Sequence, residues 1–274
     1  MSNSIFYLQP SYCIVNKHSG TMATATSHAF HSHPNLVKPV DRAFVSIVIP
    51  TLNEIHNLRK QINSLKRLPE VEIIFADGGS TDGTVDEIQR HAVQNCNVHL
   101  IRSPRCRSRQ MNAGARHAIG EWIIFLHADT ELPPESFKSF LQAARQNSHL
   151  KAGAFTFKVS NPKWVYRYLE HYVGLRCKLL KLPYGDQAIF ARRCFFEEMG
   201  GYRDDFPLME DMEFVERCNK LDSFSVLRFP VYTSARRFEN DGYLKRTCGN
   251  LYLQMLYKFG VHPTELAKKY WKNQ

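Results

Sequence analysis

No stretch of about 18 uncharged apolar residues occurs in this 274-residue chain, so the sequence holds no transmembrane helix. No two of its seven cysteines form a Cys-x-x-Cys pair. That leaves neither a disulfide framework nor a zinc ribbon and favours a reducing, cytoplasmic compartment. Aspartate and glutamate are missing from the first 40 positions, which are rich in Ser, Thr and His and show no sustained apolar period. Such a stretch cannot bury enough apolar surface to fold, and residues 1–43 read as a disordered extension. Arginine is missing there as well, the first being Arg42, which argues against an organellar transit peptide. His28, His31 and His33 in this stretch are read as incidental rather than metal-binding.

The remainder has the composition of a globular protein, 43% apolar and 23% charged, long enough to bury a sizeable core. A net charge of +10 points to an anionic partner. Arg102, Arg105, Arg107 and Arg109 cluster, and Arg236-Arg237 form a second basic point. Aromatic residues are not interleaved with them as on a nucleic-acid platform, so discrete phosphate groups fit better than a polymer.

From Phe44 the pattern changes. Phe44-Val-Ser-Ile-Val-Ile-Pro50 reads as a buried strand closed by proline. Ile55, Leu58, Ile62 and Leu65 recur at helical spacing, predicting a helix over 53–67 with Asn53 as its cap. Residues 71–76, 98–101 and 122–126 read as further strands, with helices over 82–92 and 108–118 between them. This alternation specifies an α/β fold with a mostly parallel, doubly wound sheet. Residues 152–159 alternate like a half-exposed strand, 164–180 read as a helix and 187–190 as a strand. Helices are expected at 195–199, 211–220, 251–259 and 264–271, and residues 44–274 are taken as one domain. The segment 251–259, with Lys268, Lys269 and Trp271 beyond it, either packs on the domain or lies against a membrane face.

In open α/β sheets, ligands bind outside the carboxyl ends of the strands. Three strand ends here carry polar groups. The first, Pro50-Thr-Leu-Asn-Glu54, suits helix capping as well as ligand contact. The second, Ala76-Asp-Gly-Gly-Ser-Thr-Asp-Gly-Thr84, is a tight loop whose glycines allow close approach; Asp77 can accept hydrogen bonds from a base or ribose. The third, His127-Ala-Asp129, suits a hard divalent ion. Mg²⁺ or Mn²⁺ takes one or two carboxylates, with phosphate oxygens and water completing its shell. His127 reads either as a ligand or as a lining residue. Farther on, Glu210 and Asp211 open a helix, where a cap and a general base are equally good readings. Gly185-Asp-Gln187 reads as a turn.

Residues 45–54, 76–84, 112–114, 125–130, 192–202 and 210–211 match, in order, the motifs of family 2 glycosyltransferases, and the chain resembles that family over roughly 44–240. Residues 125–130, 183–187, 207–211 and 233–237 are similar to the radical-SAM/selenodomain-associated transferase 2 subgroup. The resemblance implies a GT-A fold: a Rossmann-like, mostly parallel twisted sheet flanked by helices, with an α+β portion on the acceptor side. It implies that Thr51 and Glu54 line the nucleoside pocket and that Asp77 hydrogen-bonds the base. Arg109 and Asn112 lie near the donor, and Pro50 and Ala128 join the donor-nucleotide site. Asp129 matches the last acid of the Asp-x-Asp motif that holds the divalent ion on the nucleotide diphosphate; Asp211, with Glu210 beside it, matches the catalytic base. Arg236 and Arg237 would neutralise the diphosphate, and Gly185, Asp186 and Gln187 would face the acceptor.

Two departures stand out. His127 replaces the first acid of Asp-x-Asp, and Gly78 replaces the second acid of the usual Asp-Asp-Gly-Ser. The Gln-x-x-Arg-Trp motif of processive synthases is absent, with Ala235-Arg-Arg-Phe238 in a similar place. The implied activity is therefore non-processive, inverting, metal-assisted transfer from a nucleotide-diphosphate sugar to an acceptor hydroxyl, with Mn²⁺ or Mg²⁺ as cofactor. The acceptor is open to being lipid-linked, on the cytoplasmic membrane face. Two rivals remain. A catalytically inactive nucleotide-sugar-binding protein would explain the missing acids, though not the retained Asp129, Glu210 and Asp211. A nucleotidyl- or phosphoryl-transferring enzyme would favour a lysine in its glycine-rich loop, and residues 78–83 have none.

Overall fold

Strands covered on both faces must be apolar along their length, and this chain supplies several. In the computed structural model, which describes residues 43–272, the expected alternation runs β1 (Val45–Thr51), α1 (Ile55–Leu65), β2 (Val71–Asp77), α2 (Thr84–Gln94), β3 (Val98–Arg102), α3 (Arg107–His117) and β4 (Trp122–Phe125). A short β5 (Thr130–Glu131), α4 (Pro134–Gln146), β6 (Ala152–Val159) and α5 (Trp164–Leu180) follow. A 3₁₀ turn at Gly185–Gln187 leads to β7 (Phe190–Arg192), α6 (Arg193–Glu198), α7 (Glu210–Lys220), β8 (Phe224–Thr233), α8 (Arg236–Asp241), α9 (Tyr243–Lys258) and α10 (Pro263–Lys272). The expected extension lies, Ala43 apart, outside the described residues, as does the side chain of Arg237.

The strands pair in the order β3-β2-β1-β4-β7-β6-β8-β5. The β3-β2-β1-β4 half is parallel; β7 runs antiparallel to β4 and β6, β6 is parallel to β8, and β5 closes the edge antiparallel to β8. The result is a mixed α/β fold with a mostly parallel sheet flanked by helices. Register aligns Thr51 with Asp77, and Asp77 with Arg102, so these strands end along one line.

The core sits on both faces of the sheet. β1 sends Val45, Ile47 and Ile49 to one side and Val48 to the other, as period-two geometry requires. On the first side Trp122 meets Phe140 edge-on at 5.7 Å, and Phe140 meets Phe190 at 4.9 Å. On the other, Phe125, Phe196, Tyr202 and Phe214 pack together.

Three local expectations change. Asn53 does not cap α1: its φ is 56°, and its Oδ1 accepts from Thr81 N at 2.9 Å, clasping the loop after β2. The free N–H groups of Glu54 and Ile55 are satisfied instead by Thr84 Oγ1 and Asp82 Oδ2 of that loop. Residues 187–190 are not one strand, because the 3₁₀ turn and the left-handed Ala188 intervene before β7. Helix 251–259 is the second half of the longer α9, with Leu253 buried against Met209, Met212 and Leu266.

β6 lies between two neighbours and passes β8 closely at Gly153. A Cβ there would stand 2.2 Å from Ser225 O and 2.5 Å from Phe190 Cζ. Gly153→Ala must part β6 from β8, and we expect a loss of about 1–3 kcal/mol, read as a lower urea midpoint with an unchanged slope.

Candidate active site

The carboxyl ends of β1 and β2 are held by one side chain that the sequence reading passed over. Gln110, buried on α3, donates its Nε2 to Thr51 O at 2.8 Å and to Ala76 O at 2.7 Å. A Cβ at position 78 would stand 3.0 Å from that nitrogen, so a side chain there would press on the Gln110 amide. Asp77 turns inward. It is 1% exposed, and its carboxylate accepts from Gly79 N at 2.8 Å, from Ser80 N at 3.0 Å and from the Ser80 hydroxyl. Its observed work is to shape the loop.

In front of these strand ends lies a cleft of about 690 Å³ lined by Pro50, Thr51, Glu54, Ala128 and Asp129 together with His127. Arg105, Arg107, Gln110 and Tyr270 complete the wall around them. Thr51 Oγ1 is buried there with no hydrogen-bond partner among the described residues, so its capacity is available to a ligand. Glu54 Oε2 accepts from Asn57 Nδ2 at 2.7 Å and lies 3.7 Å from Arg236 Nη2, which brings the first residue of α8 to the same rim.

A second chamber of about 180 Å³ opens beside it and shares Arg107, His127, Asp129 and Tyr270. Asp211 and Asp186 line this chamber. Asp211 is fixed by the backbone: Oδ2 accepts from Gly185 N at 2.6 Å and Oδ1 from Met212 N at 2.8 Å. A Cβ on Gly185 would meet His127 Nε2 at 2.9 Å and Asp211 Oδ2 at 3.2 Å, so a side chain there would have to push the imidazole or the carboxylate aside. The imidazole and the carboxylate thus converge on one point.

Glu210 sits underneath, 1% exposed, with Arg107 Nη1 3.5 Å from its Oε1. Burial pushes its carboxyl up to about 7, with Arg107 opposing and Asp211 adding to the rise. Glu210 faces Arg107 and Asp211 faces the chamber, so the two acids have different surroundings although they are adjacent. Burial works against the Arg107 charge, but Glu210, Asp211 and Asp129 more than offset it. Asp186 Oδ1 is buried without a hydrogen-bond partner among the described residues. Burial raises this carboxyl to about 6, against the pull of Arg176 and helped by Asp211 and Asp129.

Three expected residues point elsewhere. Arg109 is exposed, with Nε donating to Asp204 O at 3.2 Å. Asn112 clasps Tyr202, giving Nδ2 to its carbonyl at 2.7 Å and accepting from its N–H at 2.9 Å. Gln187 is 1% exposed and donates to Phe155 O at 2.9 Å, anchoring the turn to β6. The residues that replace Arg109 at the cleft are Arg107 and Gln110. They lie three apart on one helix face with Met111 and Gly114, whereas Arg109 falls off that face. Tyr270 and Arg246, joined by a 2.7 Å hydrogen bond, come from the C-terminal helices and had no motif to mark them.

Among the described residues, no three His, Cys, Asp or Glu side chains form a closed metal site. The donor set nevertheless suits a hard ion held partly by substrate. Asp129 is part-buried on the wall between the two cavities, where diphosphate oxygens would complete the shell.

An open, mostly parallel sheet with an acid-lined cleft at its carboxyl edge is the build of a GT-A-type transferase, and comparison with known proteins agrees. The family model described as glycosyl transferase family 2 matches residues 46–221. The chain belongs to this family and is a glycosyltransferase. It is similar to a PGL/p-HBAD biosynthesis glycosyltransferase of Mycobacterium bovis, 31% identical over 181 residues, 63% of this chain and 68% of the relative. Among solved structures it resembles S. aureus TarS 1–349 in complex with UDP, with a TM-score of 0.58 and 17% identity over 69% of this chain. It also resembles the mannosyltransferase PcManGT from Pyrobaculum calidifontis in complex with GDP-Man and Mn²⁺, with a TM-score of 0.53 and 18% identity over 69% of this chain. The matches span 60% and 55% of those two chains. At such identities the likeness concerns the fold, including the GT-A-type sheet.

The Asp186 carboxyl predicts a pH signature. An acid whose folded value is raised holds its proton longer than the unfolded chain does, so its contribution is present at low pH and lost as pH rises from about 4 to about 6. Asp186→Asn removes this loss. In urea titrations across pH, the variant should gain on the parent through that window, reaching roughly 2–3 kcal/mol at pH 7.

Proposed function

We propose that this enzyme transfers a sugar from a nucleotide-diphosphate sugar to an acceptor hydroxyl, non-processively and with inversion, assisted by Mn²⁺ or Mg²⁺. The observation that carries the reading is the junction of the two cavities. Asp129 and Arg107 border both, while Asp211 borders only the second. The larger cleft suits the nucleotide, with Thr51 Oγ1 and Glu54 at the nucleoside end. Arg107 and Arg236 lie where a diphosphate would need positive charge, and Arg237 adds to it in this reading. Asp129 would hold a divalent ion, which would supply further positive charge against the negative charge developing on the leaving nucleoside diphosphate. Asp211 takes the proton of the acceptor hydroxyl as it attacks the anomeric carbon, from the side opposite the diphosphate. The Gly185 and Met212 N–H groups hold the carboxylate in place for this. Glu210 keeps Arg107 in position from below, and Asp186 offers a hydrogen bond to the acceptor.

The UDP-bound and GDP-Man-bound neighbours support uridine and guanosine as the first nucleotides to try. Similarity of residues 125–130 and 233–237 supports placement in the radical-SAM/selenodomain-associated transferase 2 subgroup. Among the described residues no helix is long and apolar enough to cross a membrane, and six cysteines are free thiols. Both support action in the cytoplasm, with any membrane contact peripheral.

The deciding experiment is a thermal-shift panel of UDP, GDP, CDP, ADP and dTDP, each with Mn²⁺, Mg²⁺ or chelator. One nucleotide should stabilise the protein only with metal, by about 2.7 kcal/mol at 100 times its Kd. Stabilisation that is indifferent to chelator removes the ion from the mechanism. Asp129→Asn should abolish the metal-dependent part. Asp211→Asn should keep donor binding and lower turnover about 10²–10⁴-fold; loss of donor binding in that variant would sink its assignment as the base.

A further inference from the structure

Helix α5 presents an apolar stripe to solvent. Trp164, Tyr168, Tyr172, Leu175 and Leu179 recur every three or four residues along one helix face, and Trp164, Tyr168 and Leu179 are 79%, 71% and 69% exposed. The inward residues Tyr166, Leu169, Val173 and Cys177 already fill the packing face. A surface helix ordinarily keeps its outer face polar. A continuous row of about 22 Å is unlike the single exposed apolar residues common on any surface.

Tyr168 and Tyr172 of the stripe line a groove next to the Asp211 chamber. On the neighbouring α9, Leu251, Tyr252 and Met255 are also exposed. Between the two helices runs a groove of about 210 Å³ walled by Tyr168, Tyr172, Val173, Tyr243 and Leu251. Tyr184, Asp186, Phe238, Asn250 and Gln254 line both this groove and the Asp211 chamber, so the two are adjacent and share a wall. The two helices are mainly basic, with part of that charge paired: Lys163 with Glu239, Arg167 with Glu170, Lys181 with Asp222 and Lys258 with Glu216. Lys163, Arg167, Arg176, Lys178 and Lys181 accompany a single acid, Glu170, along residues 163–181. α9 carries Lys245, Arg246 and Lys258 and no acid.

We propose that this face seats on an anionic lipid bilayer, and that the groove between α5 and α9 admits the apolar portion of a bilayer-held acceptor whose hydroxyl reaches Asp211. The inference rests on the reading of the Asp211 chamber as the site of transfer. Tryptophan and tyrosine favour the headgroup boundary, leucines enter the acyl edge, and lysine and arginine gain from anionic headgroups. A soluble protein partner would match the stripe but would leave unexplained why the groove beside it shares its wall with the Asp211 chamber.

The test sediments the full chain with sucrose-loaded vesicles of phosphatidylcholine alone or mixed with phosphatidylglycerol. It compares the parent with Leu175→Ser/Leu179→Ser, two exposed residues outside both cavities and the groove. The parent should pellet with the anionic vesicles, with a blue shift of Trp164 fluorescence, and the double variant should partition at least about tenfold less. Equal sedimentation of the two proteins overturns the proposal, as does a parent that stays in solution. A lipid-free dimer that the substitutions dissociate also overturns it, by giving the stripe to a second copy. Nucleotide stabilisation is measured on both proteins in parallel. Its absence from the parent strikes the transfer reading alone, while its retention in the double variant shows that the fold and the donor site are intact.

Discussion

Where β1 and β2 end, two carbonyls, those of Thr51 and Ala76, leave the ladder side by side. A buried carbonyl without a partner is costly; Thr51 O takes one hydrogen bond from Gly78 N at 2.9 Å, and a single side-chain amide reaches both carbonyls. Gln110 reaches across from α3, and its Nε2 closes the edge of the sheet at 2.8 and 2.7 Å. Much of the site follows from that reach. Gly78 must be small to leave the amide room, and the loop after β2 is then gathered by the Asp77 carboxylate. The same helix face that presents Gln110 presents Arg107 one turn earlier, directed at the acids.

Arg107 is the electrostatic centre of the cleft. Glu210 lies buried against it, and Asp129 and Asp211 complete a ring of carboxylates around one guanidinium. Burial and the neighbouring Asp211 raise the Glu210 carboxyl, and the permanent charge of Arg107 opposes that rise. The raised Glu210 and Asp186 carboxyls show how near the balance lies.

The parallel half of the sheet was legible because burial on both faces leaves an unmistakable apolar run in β1, β2 and β4, and α5 was legible to the residue because its buried face repeats cleanly. β8 was not, since Pro230 interrupts it. Proline survives there because it lies where the β6–β8 register shifts, and Ser136 Oγ donates to its carbonyl. The first half of α9 was hidden by its polar composition, and α4 by the prolines at its start. At the site, acids at a strand end and a helix start were visible in one dimension. Which arginine of the cluster turns inward depends on helix phase, and the motif alone assigned that place to Arg109 rather than Arg107. The double clasp of Asn112 on Tyr202 joins residues 90 apart in sequence and left no local trace.

Gly185 brings a histidine ring and a carboxylate to within 3.2 Å of the point where any other residue would place its Cβ. A larger residue in that loop would therefore have to displace the imidazole or the carboxylate, so the loop and those two groups can change only together.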